Sequence, residues 1–300
     1  MRVIHSSTFA SALVLGLFMA SCGGSDTTSH DHTADTLAVD TAQKETELLS
    51  VAGRVFSIPS PVQTVLAMRK AGLKYQKDLT APLEKSDVAT GKVAQSTALG
   101  IYGADLAYAT VHKDGQRAMA TLQAIEKLGS KLELTNSFDK ALLDRFKNNL
   151  GSEDSLLRFS GTAFRAADQY LKSSQRDDVS ALVLAGGWIE ALYLTVSDPA
   201  ASKDQALVNR IGEQKNGLNA LVELLTSTDK EQAAAPLVTA LKELQGLFAG
   251  VSSTYTFQEP VTDATKKTTF INSTSTVTIP ADQLSAIVAK VSAIRNLMLA

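Results

Sequence analysis

Val179-Ser180-Ala181-Leu182-Val183-Leu184-Ala185-Gly186-Gly187-Trp188-Ile189-Glu190-Ala191-Leu192-Tyr193-Leu194-Thr195-Val196 is the stretch on which the fold turns. Apart from Ser180 and Thr195, its side chains are apolar on every face except at Glu190. A helix apolar all round belongs at the centre of a protein or inside a membrane. A mid-helix carboxylate, a glycine pair and flanking Asp177, Asp178 and Asp198 count against a membrane span. The stretch therefore predicts a central, buried helix, capped by Asp177 and stopped at Asp198-Pro199.

Helical periodicity extends in both directions from this centre. A short segment opens at Pro61 and closes at Gly72, and longer ones cover 92–112 and 116–128. Phe138, Leu142, Phe146 and Leu150 mark a helix ended by Gly151, and Ser152 caps another running to about 172. Capping boxes are expected at Ser202 with Gln205 and at Thr228 with Glu231, where a hydroxyl and an amide or acid satisfy each other's backbone N–H groups. The first box opens a helix burying Leu207, Ile211, Leu218, Leu221 and Leu225. The second opens one burying Leu237, Leu241, Leu244 and Phe248, with a bend at Pro236. Short connections favour antiparallel neighbours, so the fold class is all-α, an array of antiparallel helical hairpins.

The pattern breaks over residues 252–280, where Thr254-Tyr255-Thr256-Phe257 and Thr276-Val277-Thr278-Ile279 alternate as strands do. One small β-hairpin, with a long turn around 263–267, is expected there. A last helix from about 282 carries Leu284, Ile287, Val288, Val291, Ile294 and Met298 on one stripe and closes the core.

Glu190 has Gly186, Gly187, Tyr193 and Leu194 as its neighbours along the helix face, where another element approaches closely. An isolated buried carboxylate costs several kcal/mol if ionised, so Glu190 must be paired, hydrogen-bonded or protonated. Asp105 is a second internal acid, centred among Ala98, Ile101, Tyr102, Tyr108, Ala109 and His112. The opposite stripe, Ser96, Gly100, Gly103 and Ala107, is small enough for a second helix to come close. Each acid has a tyrosine three residues on, so Asp105, Tyr108, His112, Glu190 and Tyr193 form the candidate ligand-binding set, with His112 too far along its helix to bond Asp105 directly. The competing reading is structural: such groups fix helix register by hydrogen bonds, and nothing else of an active site accompanies them. Arg165 and Asp168 read as an exposed ion pair. No Ser-His-Asp set, HExxH or phosphate-cradling glycine loop occurs in the folded part, so no catalytic residue, metal site or cofactor is assigned. His30 and His32 are two imidazoles where a metal site needs three or four fixed ligands.

The chain begins with Arg2 and an apolar run over 9–20 that is too short to span a bilayer, the pattern of a signal peptide over residues 1–21. It ends in Met19-Ala20-Ser21-Cys22, which resembles a lipobox and implies lipid on Cys22. An ordinary secretory peptide is the weaker alternative. Cys22 is the single cysteine, so no intramolecular disulfide forms. From 22 to about 50 the chain is rich in Thr, Ser, Asp and Ala, a flexible tether reaching roughly 30 Å. Six acids against Lys44 give this tether a charge of −5, which leaves the domain from 51 to 300 at +2 once Arg2 is set aside from the total of −2. A nearly neutral domain is a poor nucleic-acid binder.

The segments Tyr102-Gly103-Ala104-Asp105-Leu106-Ala107-Tyr108, Phe164-Arg165-Ala166-Ala167-Asp168 and Gly186-Gly187-Trp188-Ile189-Glu190-Ala191-Leu192-Tyr193 are similar to an uncharacterised family of helical lipoproteins from diderm bacteria. That resemblance implies address and fold, with no activity or site to carry over. Gly23 after the cysteine resembles the pattern of lipoproteins released to the outer membrane. The expectation is a lipid-anchored protein of the cell envelope, facing the periplasm or outside, non-catalytic, that binds or scaffolds an envelope protein or a small ligand. The runner-up is a hydrolase working through Glu190 and Asp105.

Overall fold

The computed structural model describes residues 48–51, 54–57, 61–134, 144, 148 and 175–300. The signal peptide, Cys22, most of the tether with His30 and His32, and the helices expected over 138–150 and 152–172 with Arg165 and Asp168 lie outside these residues, except that Asp144 and Asn148 are helical.

The order is β1 (Leu48–Val51), β2 (Arg54–Ser57), α1 (Pro61–Lys70), α2 (Lys85–Val88), α3 (Gly91–Val111), α4 (Gly115–Lys131), α5 (Asp177–Val196), α6 (Gln205–Thr228) and α7 (Ala235–Phe248). Then follow β3 (Ser252–Thr256), β4 (Val261–Asp263), β5 (Thr268–Phe270), β6 (Thr274–Thr278) and α8 (Ala281–Met298). The protein is mostly helical, with small antiparallel strands before the last helix.

Its most extensive packing joins α3 to α5, two helices far apart in sequence. Both are buried along nearly their whole length. The approach is close because it is lined with glycine: a Cβ at Gly100 would collide with the Val183 carbonyl oxygen, and one at Gly186 with that of Thr97. The small stripe read on α3 thus faces α5, through Gly100. By length and composition α5 could cross a membrane, yet most of it is buried inside the protein, where its apolar faces meet α3, α6, α8 and α1.

Around this pair, α4 packs on α3, α7 on α6, and α8 on α7 and α5. One large apolar cluster includes Ile101, Leu128, Ile189, Leu218, Leu241, Phe248, Ile287 and Val291. A smaller one gathers Val65, Met68, Tyr108, Val111, Leu194 and Leu207 where α1 meets α3 and α5.

The strands form a long hairpin. β3 pairs antiparallel with β6, and further out β4 pairs with β5, with Asp263 opposite Thr268 across the turn. Its root is pinned to α6: Val277 is buried against Gly212, and the Asn209 side chain accepts from the Val277 N–H at 2.8 Å and donates to the Ser275 carbonyl at 2.9 Å.

Several local expectations are corrected. Ser202 and Gln205 form no capping box: Ser202 donates to the Pro199 carbonyl, and Asp204 caps α6 by accepting from the Leu207 N–H at 3.0 Å. Thr228 ends α6 rather than opening α7. Its hydroxyl bonds back to Leu224, while Asp229 takes the N–H groups of Ala233 and Ala234. At α6 an aspartate, whose charge suits a helix N-terminus, takes the role assigned to a neighbouring hydroxyl, whereas α7 begins after Ala234 with no side-chain cap and Asp229 holds only the turn before it. Pro236 causes no bend because it lies in the first turn of α7, where its missing N–H costs nothing. Asp177 is the first residue of α5, and the N-cap is Arg176. The β1–β2 hairpin begins inside the stretch read as tether, with Leu49 opposite Phe56.

Candidate functional site

Glu190 and Asp105 meet where α3 crosses α5, and both are fully buried. Arg295 of α8 reaches the same point. Its Nε donates to Glu190 Oε2 at 2.5 Å and its Nη2 to Oε1 at 2.9 Å, a two-pronged pair in which both carboxylate oxygens are engaged. Nη2 also donates to the Leu79 carbonyl at 3.0 Å, and the guanidinium lies 4.2 Å from the centroid of the Tyr193 ring.

Asp105 holds the other side. Its Oδ2 accepts from the Ala81 N–H at 2.8 Å, whereas its buried Oδ1 meets no N–H donor among the described residues. Among its charged neighbours the Glu190 carboxylate acts on Asp105 most strongly, and the two carboxyl groups are close enough to share a hydrogen bond. Two ionised carboxylates would repel there. Burial, and next the charge of Glu190, hold Asp105 well above the usual carboxylate range. Burial also raises Glu190, but the Arg295 guanidinium opposes that rise. The arrangement that satisfies every atom has Asp105 protonated, donating to an ionised Glu190 that Arg295 neutralises. The cluster then carries no net charge, as its burial requires.

The cluster also clamps the chain between α1 and α3. Leu79 gives its carbonyl to Arg295 and Ala81 its N–H to Asp105. The Ala81 carbonyl accepts from Arg117 Nη2 at 2.5 Å, and the Pro82 carbonyl from the Tyr102 hydroxyl at 2.6 Å. Four side chains from three helices thus hold one irregular segment whose polar backbone would otherwise be unpaired.

The sequence-derived set divides in two. Asp105, Glu190 and Tyr193 share the cluster, Tyr193 through Arg295 rather than by its hydroxyl. Tyr108 and His112 belong to an aromatic group beside it. The Tyr108 hydroxyl accepts from the Gln76 N–H at 3.0 Å and donates to the Lys74 carbonyl, not to a carboxylate. Its ring packs edge-on to His112 and tilted to Tyr75, 4.9 and 5.1 Å between centroids. Tyr75 donates to Asp114, the cap of α4, and burial followed by the Arg69 charge lowers the His112 pKa.

Sequence reading missed Arg295, although a signal existed. It lies four residues after Val291 and three before Met298, on the buried stripe of α8, and a cation there implies an acid inside. Chemically the cluster is closed. Glu190 has no exposed surface, its two oxygens are occupied, and the Arg295 side chain is 8% exposed. Two clefts of the surface, one beside Trp188 and Gln214 and one beside Lys92 and Asp178, are lined by none of the five residues. Among the described residues no three His, Cys, Asp or Glu side chains are grouped to hold a metal. Comparisons with family models, with curated proteins and with solved structures find no match.

Proposed function

We propose that the chain is a lipid-anchored protein of the cell envelope whose helical domain binds or scaffolds a partner without catalysis, with Asp105, Glu190 and Arg295 as its internal lock. The observation that carries this reading is the saturation of the cluster: a carboxylate engaged at both oxygens and sealed from solvent has no atom left for a substrate. A hydrolase would need at least one acid at hydrogen-bond distance from a reachable ligand, and the burial of both weighs against it. The address rests on Met19-Ala20-Ser21-Cys22 after the apolar run.

Two substitutions test the parts separately. Cys22→Ala is expected to abolish lipid labelling and release the protein from membranes; a variant as firmly bound and labelled as the parent would sink the address. Glu190→Gln is expected to leave envelope function proportional to the amount of folded protein. Full folding with lost function would favour the enzyme.

A further inference from the structure

The β3–β6 hairpin carries a feature the buried cluster does not explain. Among the described residues, most of the large apolar side chains left exposed lie on it: Tyr255 at 63%, Phe257 at 68%, Val261 at 58%, Phe270 at 46% and Ile271 at 75%. Val88 and Leu297 are the others. The outer ladder is two-sided. Val261 and Phe270 are cross-strand partners on one face, while Thr262 and Thr269 bond hydroxyl to hydroxyl on the opposite one. At the turn stand Lys266 and Lys267. Lys266 has Asp263 at 3.6 Å, and Lys267 has no acidic partner among the described residues. From Val261 to Ile271 the net charge is +1, opposite in sign to the tether.

We propose that this hairpin docks on the lipid surface to which Cys22 anchors the chain, with Val261, Phe270 and Ile271 in the acyl boundary and the two lysines at anionic headgroups. The proposal rests on the lipid-anchor reading. Apolar side chains beside basic ones on a projecting element are the composition of an interfacial anchor, and lysines near an anionic surface add attraction. A fluid surface also receives side chains that do not form one flat face, whereas a protein partner needs a complementary patch. Twenty-five residues separate Cys22 from Leu48; a flexible chain of that length would reach roughly 30 Å, so a lipid on Cys22 alone would bring the domain to the membrane without choosing its orientation. The hairpin supplies that choice.

The test uses the mature full chain in vesicles of phosphatidylethanolamine and phosphatidylglycerol. Once Cys22 is acylated, Ile271→Cys provides the single free thiol for an environment-sensitive dye, and Val88→Cys on the same background is the control. Brominated lipids are expected to quench the dye several-fold more at 271 than at 88, and Lys266→Glu with Lys267→Glu is expected to weaken that quenching. Equal, water-like signals at both positions would overturn the proposal. So would shielding at 271 that appears in detergent and grows with protein concentration, which would indicate a second copy of the chain. Intact mass separates the two readings. If Cys22 carries no lipid the anchor reading fails, and the hairpin is judged by the difference between 271 and 88 on a Cys22→Ser background.

Discussion

The crossing of α3, α5 and α8 and the β3–β6 hairpin handle polar and apolar groups in opposite ways. At the crossing, charged groups are sealed inside an apolar core and every one of them is matched. On the hairpin, large apolar groups face outward, while the Thr262 and Thr269 hydroxyls bond to each other and Ser273 accepts from the Gln258 N–H between the two ladders. The first arrangement costs desolvation and returns a unique geometry, because only one placement of the three helices pairs the ions. The second leaves apolar area unburied, which a protein surface rarely does in one place without a partner. One region holds the fold together and the other is available to meet something.

The largest effect should come from breaking the internal match. Arg295→Met leaves Glu190 buried without its counterion and is expected to destabilise the protein by about 3–5 kcal/mol in urea denaturation. A loss below about 1 kcal/mol would mean the pair is not buried as described. Next comes the close approach of the helices. Gly100→Ala puts a methyl group against the Val183 carbonyl, so α3 and α5 must separate, at an expected cost of about 3 kcal/mol.

A smaller effect, with a distinctive pH dependence, is expected at Asp105. Asn keeps the acceptor for the Ala81 N–H and supplies an N–H toward Glu190, so Asp105→Asn should fall within about 1 kcal/mol of the parent. The raised pKa of Asp105 means the folded state holds a proton that the unfolded state releases near the ordinary value of 3.8. Its contribution is complete below that pH and is lost as pH rises toward the folded-state value. The variant should therefore gain stability relative to the parent as pH rises above 3.8. A pH-independent difference would show that Asp105 is ionised in the native protein. The smallest effect belongs to the hairpin: Phe270→Ser is expected to change stability by less than about 0.5 kcal/mol, since the side chain makes little of the core.

The helices near α3, α5 and α8 were legible because their apolar residues recur at helical spacing, and the hairpin because threonine and aromatic residues alternate. Glu190 and Asp105 stood out as acids on apolar stripes. Their contact did not, since no local pattern tells which two distant helices cross. Arg295 was not legible because a long cation beside an apolar stripe such as Leu284, Ile287 and Val291 usually reaches to water. Tyr108 and His112 misled for a different reason: their spacing from Asp105 was correct, but the segment over 73–81 intervenes and takes the Tyr108 hydroxyl. The cap of α6 lies two residues from the expected Ser202, at Asp204, because a hydroxyl and an aspartate compete there.

The central claim is that Glu190 and Arg295 act as one structural unit, and a double-mutant cycle tests it most directly. Unfolding free energies would be measured for Glu190→Leu, Arg295→Met and the two combined. Each single variant strands a buried partner, whereas the double variant replaces the pair by apolar side chains of similar size. The account predicts that the double variant is more stable than the sum of the single losses implies, by about 2 kcal/mol or more. Losses that add within about 0.5 kcal/mol would contradict it.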